Sequence, residues 1–247
     1  MQLENAVALV TGANGGIGQY YIEGLRSAGV PRIYAGARNP DSLAAIVAND
    51  PQRITAISLD IADERSVMAA AAKCQDVTLL INNAGIGLLK GFISAADLSG
   101  ARSEMEVNYF GTLAMCRAFA PVLQQNGGGA IVNMLSILGK VNLPMNGSYS
   151  ASKAASIIMT QGIRAELAAQ GTLVVGVMPG TVDTQASKNF PPPKVAPATV
   201  AREALQAVID GIEDVYPGEQ AKAMAAQLLE DPKALEKMMA AMLPNRD

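Results

Sequence analysis

The chain has no histidine and no tryptophan among its 247 residues, and only two cysteines. Without histidine, Ser-His-Asp and Cys-His catalysis are excluded, as are metal sites built on imidazole. Any acid–base work must fall to Tyr, Lys, Asp or Glu. Cys74 and Cys116 stand far apart in helical patterns; they suggest no disulfide framework and read as small buried residues. Charged residues make up 17% of the chain and the net charge is −3, which leaves no basic footprint for nucleic acid. No apolar run reaches the length needed to cross a bilayer. Met1-Gln2-Leu3-Glu4-Asn5 lacks the basic-then-apolar pattern of a secretion signal. The expectation is a cytoplasmic protein with no nucleic-acid or membrane partner, and no ligand cluster argues for a metal.

What is present is a regular alternation. Half of the residues are hydrophobic, and short apolar runs at 6–10, 33–37, 54–59, 77–81, 130–135 and 173–178 read as buried parallel strands. Helical patterns separate them, near 17–28, 41–48, 63–74, 101–123 and 149–167. No polar linker interrupts the series. The pattern predicts one α/β domain over 1–247, a Rossmann-type doubly wound parallel β-sheet flanked by helices in three layers.

The first strand runs into Thr11-Gly12-Ala13-Asn14-Gly15-Gly16-Ile17-Gly18. A strand, a glycine-rich turn and a helix in that order put backbone N–H groups and a helix N-terminus where a phosphate can sit. The spacing is Gly-x-x-x-Gly-x-Gly, and no Gly-Lys-Ser/Thr follows, so a P-loop nucleotidase is disfavoured. On its own the turn is also compatible with a plain strand-to-helix connection. An NAD-preferring site of this kind carries an acid about 20 residues past the glycines; here Ala37-Arg38 stands at that point. A guanidinium suits a 2′-phosphate, which reads as NADP(H) preference, against the alternative of a solvated surface arginine.

Further along, Asp60-Ile61 ends the third strand, Asn82-Asn83-Ala84-Gly85 ends the fourth and Ser136 ends the fifth. Asn108 falls inside the 101–123 helix, where a polar residue is more often exposed than functional. Tyr149 and Lys153, four apart, share one helix face, so a hydroxyl and an ammonium can meet the same ligand. A cation within about 4–6 Å would lower a phenol's pKa toward the range useful at neutral pH.

These stretches in this order resemble a classical short-chain dehydrogenase/reductase over nearly the whole chain. Asn108, Ser136, Tyr149 and Lys153 match that family's catalytic tetrad, and Pro179-Gly180-Thr181-Val182-Asp183-Thr184 its nicotinamide-side loop. The resemblance implies NADPH/NADP+ contacts from Gly12, Asn14, Gly15, Gly16, Ile17 and Gly18 in the turn. It implies others from Arg38, Asp60 and Ile61, from Asn83, Ala84 and Gly85, from Tyr149 and Lys153, and from Pro179, Gly180, Val182 and Thr184. In the implied reduction of a ketone or aldehyde, Tyr149 is the general acid/base, Ser136 orients the carbonyl, Lys153 holds down the Tyr149 pKa, and Asn108 positions a relay water.

The stretch 185–200 corresponds to the family's substrate loop, and 217–247 reads as a helical, Met- and Leu-rich tail that covers the core, caps the site or pairs with another subunit. Leu88, Leu89, Leu138, Met145 and Phe190 point to an apolar pocket for a hydrophobic ketone or alcohol. The resemblance also implies a homo-oligomer. Two rivals stand beside the reductase: a non-catalytic NADP(H) sensor of the same fold, and a related dehydratase or epimerase. Intact tetrad residues disfavour the first, and the lack of room for a separate substrate domain disfavours the second.

Overall fold

A computed structural model describes residues 1–243; the last four residues of the 217–247 tail lie outside the described residues. Seven strands, β1 (Val7–Thr11), β2 (Arg32–Ala37), β3 (Ile54–Ser58), β4 (Leu79–Asn82), β5 (Ala130–Met134), β6 (Leu173–Val177) and β7 (Asp214–Val215), form one sheet. Their order is β3-β2-β1-β4-β5-β6-β7, and every pair is parallel. Val10 pairs with Ala35 on one side and Ile81 on the other.

Alternate residues of the central strands feed two different cores. Ala8, Val10, Leu79, Ile81, Ala130 and Val132 face one layer, which also holds Tyr21 and Leu25 of α1 (Gly18–Ser27) and Ala204 and Val208 of α7 (Pro197–Asp210). Leu9, Leu80, Ile131 and Val174 face the other. There they meet Val67 of α3 (Glu64–Lys73), Phe119 and Leu123 of α5 (Thr112–Gln125) and Ile163 of α6 (Gly147–Leu167). Burial on both faces is why the strands read as unbroken apolar runs. The short α2 (Ala44–Ala48) follows a 3₁₀ turn, Pro40–Leu43, so only the second half of the predicted 41–48 helix is α-helical.

Because all strands are parallel, their carboxyl ends share one edge. The chain lays down β1, β2 and β3 to one side and then crosses to β4, so the winding reverses between β1 and β4. A crevice opens outside the carboxyl ends at such a switch point. The glycine turn leaves β1 and Asn83–Gly85 leaves β4, one on each side of it.

The helix predicted over 101–123 is not continuous. It consists of α4 (Ser99–Met105), a π-helical segment (Glu106–Gly111) and α5. Within the wide turn, the side chain of Asn108 bonds both Ile86 and Ser152, and Gly111 packs so closely on Ile61 that a Cβ there would lie 2.9 Å from the Ile61 carbonyl oxygen. Asn108 is 1% exposed, so the exposed reading of this residue is corrected by the structure.

The tail forms α8 (Glu219–Glu230) and α9 (Pro232–Ala240). Met224, Leu235 and Met239 make a separate cluster with Ile137, Val141 and Leu143, just beyond the end of β5. Of the three roles open to the tail, the packing places its apolar stripe over the carboxyl edge of the sheet. Both cysteines are free and buried; desolvation raises Cys74 to about 11 and Cys116 to about 12, which marks inert thiols.

Candidate active site

The glycine turn is stitched to the loop after β4. Thr11 Oγ1 accepts the N–H groups of Asn83 and Ala84, both at 3.0 Å. In return, Asn83 Nδ2 donates to the carbonyls of Thr11 at 3.0 Å and Gly12 at 3.1 Å. Gly12 has φ +61°, a conformation that favours glycine, and a Cβ there would lie 3.0 Å from Ala84 Cα. At Gly16 a Cβ would meet Thr184 Cγ2 at 2.8 Å, and at Gly18 it would overlap the Gly12 carbonyl oxygen. Helix α1 then begins with no side-chain cap, leaving its first N–H groups without side-chain acceptors. A turn in which Gly12 and Gly18 leave no room for a Cβ, backed by an uncapped helix N-terminus, fits a pyrophosphate.

Beside it, Arg38 is exposed just past β2. Asn14 Nδ2 donates to Ser42 Oγ at 3.0 Å, joining the glycine turn to the turn that follows Arg38. Asp60 Oδ1 accepts the Ala62 N–H at 3.0 Å, and Ile61 is buried. Arg38, Asp60, Ile61, Asn83, Ala84 and Gly85 therefore all stand along the same carboxyl edge as the turn.

On the other side of the switch point, Ser136 follows the end of β5 and its Oγ accepts the Leu138 N–H at 3.2 Å. Tyr149 and Lys153 stand on the first turns of α6. Lys153 Nζ lies 5.7 Å from the Tyr149 ring centroid and donates to the Met134 carbonyl at 2.7 Å. Asn108 Oδ1 accepts the Ile86 N–H at 2.9 Å, while its Nδ2 donates to the Ile86 carbonyl at 2.8 Å and to Ser152 Oγ at 2.9 Å. Gly85 and Gly87 make room for the group: a Cβ on Gly85 would sit 3.0 Å from Asn108 Oδ1, and one on Gly87 3.2 Å from the Tyr149 ring. The structure thus brings Asn108, Ser136, Tyr149 and Lys153 together.

The electrostatics correct one expectation. Burial pushes the Tyr149 phenol up to about 12; a hydrogen bond with Ser136 works downward and the Glu104 charge adds to the rise. Burial also pulls Lys153 down to about 8. Spacing alone had pointed to a lowered tyrosine. Desolvation penalises the charged form of each group and is the largest cause of both shifts.

A cavity of about 590 Å³ opens in front of this group. Ile17, Asn83, Gly85, Pro179, Gly180, Val182 and Thr184 border it on the side of the glycine turn, and Ser136, Tyr149 and Lys153 at its centre. Leu89, Leu138 and Phe190 line it as the sequence predicts. Leu88 and Met145 do not: Leu88 is exposed and Met145 packs into the cluster under the tail. The far wall comes from the tail, through Met224, Met238, Met239 and Met242. Sequence reasoning missed three polar residues here. Gln220 lines the cavity and its Oε1 accepts the Thr181 N–H at 2.8 Å. Asn146 lines it with a buried Oδ1 that has no partner among the described residues. Glu104, fully buried, holds the Leu88 N–H at 2.7 Å; its place one turn before Asn108 was the one available signal. Among the described residues no group of three His, Cys, Asp or Glu could hold a metal ion, and no helix is long and apolar enough to cross a membrane.

Comparison with known proteins matches this arrangement. The family model described as short chain dehydrogenase matches residues 6–195. Dehydrogenase/reductase SDR family member 7B of Mus musculus is 35% identical over 198 residues, 76% of this chain and 61% of that protein. Short chain dehydrogenase mpl6 of Monascus purpureus is 35% identical over 194 residues, 74% of this chain and 66% of that protein. The matches thus span about three-fifths to two-thirds of the length of these curated relatives. Among solved structures, a short chain dehydrogenase from Burkholderia cenocepacia J2315 in complex with NADP superposes with a TM-score of 0.92 at 45% identity, covering 97% of this chain and 99% of that one. With sheet order, glycine turn and matched residues in agreement, the chain belongs to the short-chain dehydrogenase family.

Proposed function

We propose that this protein is an NADP(H)-dependent carbonyl reductase, reversible as an alcohol dehydrogenase, acting on bulky apolar ketones or aldehydes. The observation that carries the reading is a single cavity bordered by the glycine turn, Tyr149 and Lys153, and a methionine-rich wall. The Burkholderia relative with NADP bound supports the choice of cofactor, and so does Arg38, exposed where a 2′-phosphate would meet it. The turn from Gly12 to Gly18 would hold the pyrophosphate, Asp60, Ile61, Asn83, Ala84 and Gly85 would border the adenosine side, and Pro179, Gly180, Val182 and Thr184 the nicotinamide. When bound, NADPH supplies the hydride that reduces the carbonyl carbon.

The chain's own groups handle the proton and the orientation. Tyr149, a phenol that holds its proton at physiological pH, donates it from Oη to the carbonyl oxygen as negative charge develops there. Ser136, which lines the cavity with Tyr149, would donate to the same oxygen and fix its direction. Lys153 would hold the ribose hydroxyls of the bound cofactor and, when charged, would ease loss of the tyrosine proton. The Asn108 side chain has its bonds to Ile86 and Ser152, and its carbonyl oxygen, already accepting from Ser156 Oγ at 3.0 Å, offers its second lone pair to a relay water. Four unbranched, polarisable methionines let the wall adapt to substrates of different outline. We further assign the protein to the cytoplasm and to homo-oligomers formed through α5 and α6, whose outer faces expose Ile158 and, just before α5, Phe110.

The test is NADPH oxidation against a panel of aliphatic, aromatic and cyclic ketones, with Tyr149→Phe alongside. Turnover that falls about 10²–10⁴-fold in the variant, with NADPH binding retained, is the expected result. Tight NADPH binding with no turnover across the panel would overturn the reductase in favour of a sensor.

A further inference from the structure

We propose that Asn146 is a specificity-determining residue of this site, whose side-chain amide meets a hydroxyl group on the substrate. The favoured substrates are then ketones with an apolar body and one hydroxyl apart from the reacting carbonyl. The inference rests on the reading above for the place of that carbonyl, at Ser136 and Tyr149.

Asn146 is the N-cap residue of α6 and stands three residues before Tyr149, with Lys153 four further on. That spacing puts the amide about one turn before the phenol, on the same side of the helix start. Asparagine at an N-cap ordinarily accepts an N–H of the first turn with its side-chain oxygen. Here it makes no such bond. The residue is 6% exposed and lines the cavity. Among the described residues its Oδ1 is buried without a partner, and its Nδ2 makes no hydrogen bond. Leaving a buried amide unpaired costs folding energy.

Its backbone, by contrast, is fully committed. The N–H donates to the Leu143 carbonyl at 2.8 Å, and the carbonyl accepts from Ser150 Oγ at 3.1 Å. A Cβ on the next residue, Gly147, would lie 2.8 Å from the Phe92 ring, so the chain is packed tightly here. A fixed backbone carrying an unused amide provides recognition that is already in position and has no internal partner to displace. The neighbouring amides differ. Gln220 spends its oxygen on the Thr181 N–H, and Gln227, on α8, is only half-buried. Around Asn146 the lining is largely apolar, with Ile137, Leu138, Leu143 and Met239. One polar group in such a wall fixes how a ligand lies. With neither end of the amide committed, a hydroxyl suits it in either orientation, because it both donates and accepts.

Binding tests this without turnover. Decalones, bulky cyclic ketones, would be titrated calorimetrically in matched pairs, with and without one hydroxyl at each free ring carbon in turn. The protein would be saturated with NADP+, which has no hydride to give them. The expected result is that at least one hydroxydecalone binds about 5-fold or more tightly than its parent, the worth of one hydrogen bond. In Asn146→Leu, similar in size and apolar, that advantage should vanish or reverse, since the hydroxyl then gives up water for an apolar wall. No advantage for any hydroxyl in the wild type, or one that survives in Asn146→Leu, overturns the proposal. Should Asn146→Leu fail to fold, Asn146→Ala gives the same comparison. Turnover of the same ketones with NADPH is read separately: silence there would overturn the reductase reading and leave the binding result standing.

Discussion

Lys153 donates from Nζ to the carbonyl oxygen of Met134 at 2.7 Å, joining α6 to the last residue of β5 through a buried ammonium group. Its pKa is lowered by burial from 10.5 to about 8. Between those values the folded chain binds fewer protons than the unfolded chain, so this group makes stability rise with pH across that window and fall as pH drops through it. In Lys153→Met the contribution is absent. Urea unfolding of the two proteins at a series of pH values should show the wild type gaining on the variant by up to about 3 kcal/mol from pH 8 to 10.5. A constant difference across that range would contradict the buried ammonium.

Gly18→Ala tests the cradle. Its Cβ would overlap the Gly12 carbonyl oxygen and press on Ala13 Cα at 2.9 Å, and backbone cannot step aside as a side-chain tip can. Thermal melts should show a loss of about 1–3 kcal/mol, and NADPH fluorescence titration a loss of binding beyond what that destabilisation explains.

Arg38→Ala should weaken NADPH binding by about 10- to 100-fold, the worth of one or two hydrogen bonds to a charged group, and leave NADH binding unchanged. Titrating both cofactors against the variant checks it. Equal losses for the two would mean that Arg38 is a bystander at the surface.

Gln220→Leu removes the acceptor for the Thr181 N–H, which lies in the loop leading to Thr184. The unpaired amide should cost about 1–3 kcal/mol, seen as a raised KM for the ketone and weaker NADPH binding. Gln220→Glu, which keeps an oxygen at the same reach, should restore both.

The strands and the glycine turn were legible because each writes a local rule into the chain. A strand buried on both faces must be continuously apolar, as at Ala8-Leu9-Val10, and a turn without room for a Cβ must be glycine. Tyr149 and Lys153 were legible because helix geometry alone puts residues four apart on one face. The π-helical segment was not, since it accompanies bonds from Asn108 to Ile86 and Ser152 that no periodicity announces. Gln220 and Glu104 escaped for the same reason: their partners, Thr181 and Leu88, lie 39 and 16 residues away in the chain. The Tyr149 pKa was misjudged because spacing supplies the cation but says nothing of how much water the fold removes.

The cavity draws its two halves from different stretches of chain. The turn, the strand ends and Tyr149 come from the parallel sheet and α6, whereas the methionine wall comes from the segment laid down after the last strand. The hydrogen bond from Thr181 to Gln220 is a rivet between them. On the proposed reading, the outline of the wall can therefore vary along 221–243 without touching the residues assigned to cofactor and proton, provided that the rivet is kept.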